Sequence, residues 1–240
     1  MIIKAIRTRV FKEGEPLLPF INHSVKKLRD ESILVVTSKI VSLSEGNVRE
    51  IKNSRTREDL IKAESEFAMR TKYTWLTVKD GMVMSSAGVD ESNANGKIIL
   101  LPRDSFKTAE TLRQELMKRH CIKNLGIIIT DSRLLPLRAG VVGIALGYSG
   151  FSGVRDYRGK QDIFGRLLKL SRTDLADSLA TAAVVIMGEG AEQQPLALIT
   201  GAPVEFKENV DKNELSINIK EDIYQPLFEK IKKIKWRKNS

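Results

Sequence analysis

One cysteine, Cys121, and two histidines, His23 and His120, are all the thiol and imidazole metal ligands that 240 residues contain. A lone cysteine excludes a disulfide within the chain and fits a reducing compartment. So few ligands argue against a structural zinc site, so any bound metal is expected to be held by oxygen. Long hydrophobic runs are missing as well, and nothing approaches the roughly 20 apolar residues of a membrane helix. Lys4, Arg7, Arg9 and Lys12 interrupt the stretch where a signal peptide would carry its apolar core. A cytoplasmic protein that does not meet the membrane is expected. The chain has no Gly-x-Ser-x-Gly elbow, no Cys/His pair and no Rossmann fingerprint. The segment from Gly153 to Gly159 is not a Walker loop, because Lys160 is followed by Gln161 rather than Ser or Thr.

Charge of one sign is in excess, with a formal net charge of +10, and that invites a nucleic-acid reading. Six of those charges, Lys230, Lys232, Lys233, Lys235, Arg237 and Lys238, crowd the C-terminus with no acid among them, leaving +4 for the remainder. A basic helix end suits its own dipole and solubility. No helix-turn-helix, RNA-recognition or zinc-finger signature appears. Nucleic-acid binding is therefore the runner-up.

Apolar periodicity predicts a strand over 2–10, a helix over 17–28 and a buried strand over 32–37 that ends in Thr37-Ser38-Lys39. Glu45-Gly46-Asn47 marks a turn. Thr56-Arg-Glu-Asp59 has the pattern of a capping box opening a helix to about Met69. Asp80-Gly81, between two β-prone segments, signals a hairpin. Strands follow over 97–101, 125–130 and 195–199. Helices follow over 108–120 and 223–234, with another that Thr173 caps and Gly188 ends after Met187. Hairpins mixed with helices, without regular alternation, favour an α+β fold with largely antiparallel sheets over a doubly wound one. The 240 residues could form one large domain or two small intertwined ones, and no linker divides them.

The glycines are unevenly spread: seven of 16 fall between 140 and 165. Such density suggests close backbone approach to a ligand. Between 131 and 172 eight arginines and lysines face three aspartates, a net +5 suited to phosphate or carboxylate oxygens. Asp156, Arg158, Asp162 and Arg166 could instead pair with one another. Asp90, Asp131 and Glu189 each follow or interrupt a glycine-containing segment at the end of a predicted element. Taken singly, each is more readily a turn acid bonding its own backbone. Converging, they would need a cation such as Mg²⁺ or Mn²⁺. The residues alone point to an enzyme that handles metal and phosphate.

Four ordered blocks resemble the coenzyme F-420:L-glutamate ligase family. They are Ile33-Leu-Val-Val-Thr-Ser38 with Ser44-Glu-Gly46; Ala87-Gly-Val-Asp90-Glu-Ser-Asn93; and Ile127-Ile-Ile-Thr-Asp131-Ser132 with Arg138 and Gly140-Val-Val-Gly143. The fourth runs from Asp156-x-Arg158-Gly-Lys-x-Asp162-x-x-Gly-Arg166 to Met187-Gly-Glu-Gly190. The resemblance implies an intertwined homodimer, GTP or ATP as co-substrate, and two Mg²⁺ or Mn²⁺ ions, with K⁺ a further candidate. L-glutamate and an anionic carboxylate acceptor would be joined through an acyl phosphate. Coenzyme F-420-0 would be the acceptor, and a folate or another carboxylate an alternative. Carried over by position, Asp90 and Asp131 hold one metal, and Ser132 and Glu189 serve the second. Ser38, Lys39, Asn93, Met187, Gly188, Gly190 and Gln194 line the nucleotide, while Asp131, Arg138 and Arg158 act on the reacting groups. The chain departs from the family pattern at Thr8-Arg9-Val10-Phe11, at Leu43, and after Asp131. There the family reads Thr-Asn-Gly-Arg and this chain reads Ser132-Arg133-Leu134-Leu135.

Overall fold

The computed structural model describes residues 1–51 and 54–228. In chain order the elements are β1 (Ile2–Ile6), α1 (Leu17–Ser24), β2 (Ser32–Thr37), α2 (Ser38–Ser44), β3 (Val48–Glu50), α3 (Ser54–Ala63) and β4 (Phe67–Arg70). Next come β5 (Trp75–Lys79), β6 (Met82–Ser85), β7 (Lys97–Ile99), α4 (Ser105–His120), β8 (Leu125–Leu134) and β9 (Val141–Ser149). The described residues end with β10 (Val154–Asp156), β11 (Arg172–Asp174), α5 (Leu175–Met187), β12 (Leu196–Thr200) and α6 (Gln225–Phe228). The architecture is α+β, with mixed, mostly antiparallel sheets.

The central sheet has the order β1-β12-β2-β8-β9, and only β2 and β8 run parallel. Because β2 is covered on both faces it reads as an unbroken apolar run. Leu34 and Val36 face a core shared with Phe20, Ile21, Leu112 and Leu116, while Ile33 and Val35 face one shared with Leu179, Ala180 and Ala183. α1 and α4 thus cover one face of the sheet and α5 the other. A third cluster, Ile61, Trp75, Val89, Ile98 and Leu100, packs α3 near the smaller sheets. Full burial of each such aliphatic side chain contributes about 1.5–3 kcal/mol.

Local signals explain most boundaries. Asp80 (φ 51°) and Gly81 (φ 73°) form the two-residue turn between β5 and β6, since such turns need left-handed backbone at both positions. Asp104 caps α4 by accepting from the Lys107 N–H at 2.8 Å. Several expectations are corrected. β1 stops at Ile6, and α1 stops at Ser24, although Val25 and Leu28 stay buried in the core. The helix expected to reach Met69 ends at Ala63, and 67–70 is a strand paired with β5. The capping-box residues at 56–59 lie inside α3 rather than before it. Asp174, not Thr173, caps α5 through the Asp177 N–H at 2.9 Å. Of the terminal helix expected over 223–234, Gln225–Phe228 is helical and residues 229–234 lie outside the described residues, as does the basic cluster.

Half of the glycine-rich segment is not a loop at all. β9 runs through it, and Gly143 and Gly147 allow α5 and α4 to approach the sheet. A Cβ at Gly143 would sit 2.6 Å from the Ala180 carbonyl oxygen, and one at Gly147 would sit 2.5 Å from the Phe106 nitrogen. These two glycines serve helix–sheet packing, not a phosphate.

Candidate active site

Parallel pairing of β2 with β8 sets Thr37 beside Thr130, so the next residues, Ser38 and Asp131, leave the pair side by side. Ser38 Oγ donates to Asp131 Oδ1 at 2.9 Å. A bulge between Ile129 and Thr130 interrupts the β8–β9 register just before Asp131, the kind of kink that re-aims a side chain. The buried Thr130 hydroxyl bonds the Ile144 carbonyl at 2.8 Å and fixes that kink. Burial pushes the Asp131 carboxyl above the usual carboxylate range; the Ser38 and Ser132 hydrogen bonds and the Arg133 charge oppose this, and the Asp90 charge adds to it.

Asp90 comes from the loop between β6 and β7, anchored by backbone bonds to Ile99 of 3.0 and 2.8 Å. Its carboxylate accepts from the Ser92 N–H and the Ser92 hydroxyl, both at 2.8 Å. Lys39, the second residue of α2, reaches over from the central sheet. Its Nζ lies 2.7 Å from Asp90 Oδ2 and donates to the Ser92 carbonyl and hydroxyl at 2.8 Å. Burial works against ionisation of Asp90, but the Lys39 and Ser92 contacts outweigh it and hold the carboxyl below its usual range. The two aspartates feel one another's charge, and their environments drive them in opposite directions.

Glu189 follows Gly188 at the end of α5 and accepts from the Ser132 hydroxyl at 2.7 and 2.8 Å. One residue on, the Gly190 carbonyl accepts from Asn93 Nδ2 at 3.2 Å, and the Gly190 N–H donates to Glu192 at 2.8 Å. Segments 38–39, 90–93, 131–132 and 189–190 therefore meet although scattered along the chain.

Not every expected residue joins them. Met187, the last residue of α5, has its side chain buried in the core. Gln194 is half-buried, and Gly188, with φ 81°, has Glu192 folded over its Cα. Arg138 is exposed in the β8–β9 turn. Arg158 is exposed and forks onto Asp156, with Nε 2.9 Å from Oδ2, while Asp162 bonds the Phe164 and Arg166 N–H groups at 2.9 Å. That mutual pairing is what the sequence allowed as the alternative. Asp90, Asp131 and Glu189 do not share one point, and among the described residues no three His, Cys, Asp or Glu side chains cluster as a metal site. They stand instead as two groups, Asp90 with Asp131 and Glu189 with Ser132. Oxygen-only donors, one pair of which repel, fit a hard divalent ion. Sequence reasoning missed Ser92 and Arg133; two-residue spacing from an aspartate was a usable sign of the first.

The F420-0:gamma-glutamyl ligase family model matches residues 5–201. The chain belongs to this family. It is similar to the coenzyme F420:L-glutamate ligase of Methanococcus maripaludis strain C7, 36% identical over 82% of this chain and 86% of the relative. It is also similar to that of Methanopyrus kandleri, at 35% over 83% and 86%, and to that of Archaeoglobus fulgidus, at 31% over 81% and 85%. As a member of the ligase family this chain is an enzyme. The family match takes in all four segments that meet at the site. Among the described residues no helix is long and apolar enough to cross a membrane.

Proposed function

We propose that this ligase joins L-glutamate to coenzyme F-420-0, or a closely related carboxylate acceptor, at the expense of GTP or ATP. The observation that carries this is the meeting of Asp90, Asp131, Ser132 and Glu189 within a chain matched to the family over residues 5–201. Asp90 and Asp131 would hold one Mg²⁺ or Mn²⁺, and Ser132 and Glu189 the other, with K⁺ a further candidate ion. Bound there, the ions supply positive charge against the triphosphate oxygens.

An acceptor carboxylate oxygen attacks the γ-phosphorus, the bond to the β-phosphate oxygen breaks, and nucleoside diphosphate leaves. The glutamate amine, having lost one proton to solvent, then attacks the acyl carbon; the carbon–oxygen bond breaks, inorganic phosphate departs with the bonding pair, and the nitrogen's second proton passes to that phosphate, leaving the amide. Ser38 orients Asp131 through the 2.9 Å bond, and Asn93 ties the acid-bearing loop to the segment after α5. Lys39 is placed to exchange Asp90 for a phosphate oxygen.

The unit works in the cytoplasm as a homodimer. Leu137 is fully exposed, Ile163 and Phe164 are about nine-tenths exposed, and Val185 lies bare on α5; so many large apolar side chains in water support burial against a second copy.

The test incubates the purified protein with GTP or ATP, Mg²⁺ or Mn²⁺, glutamate, and a panel of F-420-0, folates and simple carboxylates. Phosphate release with a glutamyl mass gain on F-420-0 is expected. Absence of both turnover and a nucleotide-dependent thermal shift would overturn the reading, and turnover only on a folate would move the acceptor. A mass in solution of one chain would remove the dimer.

A further inference from the structure

Arg133 is the side chain the proposed chemistry leaves unexplained. It lies two residues past Asp131 on β8, paired across the sheet with Val142. The residue is half-buried and its Nε is sealed from solvent without a hydrogen-bond partner. Its guanidinium makes neither a hydrogen bond nor an ion pair among the described residues. Arg113, whose Nε is also sealed, differs because its Nη1 pairs with Glu110 at 3.2 Å. Two carboxylates face Arg133 electrostatically: Asp131 on its own strand and Asp177 in the first turn of α5. Both are committed elsewhere, Asp131 to Ser38 at 2.9 Å and Asp177 to the Ala145 N–H at 2.8 Å.

An arginine stays charged under these conditions, and a half-buried guanidinium with no bonded partner is a costly arrangement. It becomes a favourable one when an oxyanion enters, because the planar fork matches carboxylate and phosphate oxygens.

We infer that Arg133 is an oxyanion-binding, specificity-determining residue that receives a phosphate or carboxylate oxygen of a substrate beside Asp131. This rests on the ligase reading for the substrate's identity, but not for the existence of the anion site.

The experiment compares the full chain with Arg133→Ala and Arg133→Lys. Apparent KM is measured separately for GTP, glutamate and F-420-0 with Mg²⁺, alongside calorimetric binding of pyrophosphate and of glutarate without turnover. Arg133→Ala is expected to raise one KM by about tenfold or more, as loss of a charge-assisted bond does, and Arg133→Lys to recover part of it. A change confined to GTP and pyrophosphate identifies the phosphate as the occupant. One confined to F-420-0 or glutamate, together with glutarate, identifies a carboxylate. If wild-type protein binds either anion, loses it in Arg133→Ala and never turns over, the ligase reading falls while the anion site stands. If the wild type turns over and folded Arg133→Ala matches it within about twofold in every KM and in anion binding, the inference is overturned. A native fold that changes only its oligomeric mass also overturns it, assigning Arg133 to an acid of a second copy.

Discussion

Gly143 offers the sharpest test of how this fold builds its site. It lies on β9 directly opposite Ser132 of β8, and α5 crosses above it closely enough that Thr181 Oγ1 donates to the Gly143 carbonyl at 2.6 Å. In Gly143→Ala the new Cβ meets the Ala180 carbonyl oxygen and Val184 Cγ2 at 2.6 Å and the Ala180 carbonyl carbon at 2.8 Å, whereas real Cβ contacts essentially never fall below 3.0 Å. Val184 can turn aside, but the Ala180 carbonyl is helix backbone, so α5 itself must give way. Overpacking of this kind costs about 1–3 kcal/mol. Alanine returns roughly 0.4–1 kcal/mol by restricting the unfolded chain, leaving a net loss centred on about 1 kcal/mol and at most about 2.6 kcal/mol. For a chain of this size each kcal/mol lowers Tm by about 2–4 °C, so a fall of a few degrees, at most roughly 10 °C, is expected by calorimetry. Displacement of α5 also carries Glu189 away from Ser132, so Mg²⁺-dependent nucleotide binding should weaken at temperatures where the variant is fully folded. An unchanged or raised Tm would refute the packing argument. A lowered Tm with unaltered nucleotide affinity would refute the coupling between this helix and the site.

Three further outcomes follow from contacts already described. Asp131→Asn keeps the side-chain volume and removes a charge that burial disfavours; it should fold as well as the parent yet lose Mg²⁺-dependent GTP binding in calorimetry, and retained binding would remove Asp131 from the site. Lys39→Met frees the Asp90 carboxylate from an ammonium 2.7 Å away, so Mn²⁺ affinity without nucleotide should rise severalfold in a titration of free Mn²⁺ by electron paramagnetic resonance; no rise means Lys39 does not compete for Asp90. Asp174 is an acid whose pKa is raised by burial to about 6. Between the ordinary aspartate value of about 4 and 6, the folded state holds a proton that the unfolded state has lost, so this group's contribution to stability declines as pH rises through that window. Asp174→Asn, which can still cap α5, should flatten that decline in denaturant melts taken from pH 4 to 7; an unchanged slope would exclude Asp174 as its source.

How far the sequence could be read differs between features for physical reasons. β2, the Asp80-Gly81 hairpin and α5 were legible because local signals agree with the tertiary result: an unbroken apolar run, a dipeptide that tolerates left-handed backbone, and a spaced apolar stripe ended by glycine. The strand at 67–70 was not, because Phe67 to Arg70 continues a helical pattern and is turned into strand only by its partner, Trp75 to Val78. Ser38 and Lys39 read as a polar strand end, and nothing local announced the short helix they open. The glycines of β9 were misjudged because a glycine that admits a helix and one that admits a phosphate look alike in a sequence. Asp90 and Glu189 were identifiable as loop acids and Asp131 as the acid ending an apolar run, although β8 continues past it to Leu134; which of them face one another depends on the parallel β2–β8 register and on the Asn93–Gly190 bond, neither of which is encoded nearby. The guanidinium of Arg133 was read as one of a basic group, since its lack of a partner exists only in three dimensions.

The position of β12 between β1 and β2 has a consequence for synthesis. Among the described residues only β12 pairs with β1, and it also fills the second edge of β2, so a nascent chain on the ribosome holds those edges open until Leu196 to Thr200 emerge. At roughly 5–20 residues per second, that wait lasts on the order of 10–40 s. Throughout it, the buried strand β2 keeps an open edge as a template for stray pairing, and Asp90 and Asp131 lack the completed five-stranded sheet. Assembly of the site in this enzyme therefore waits for β12.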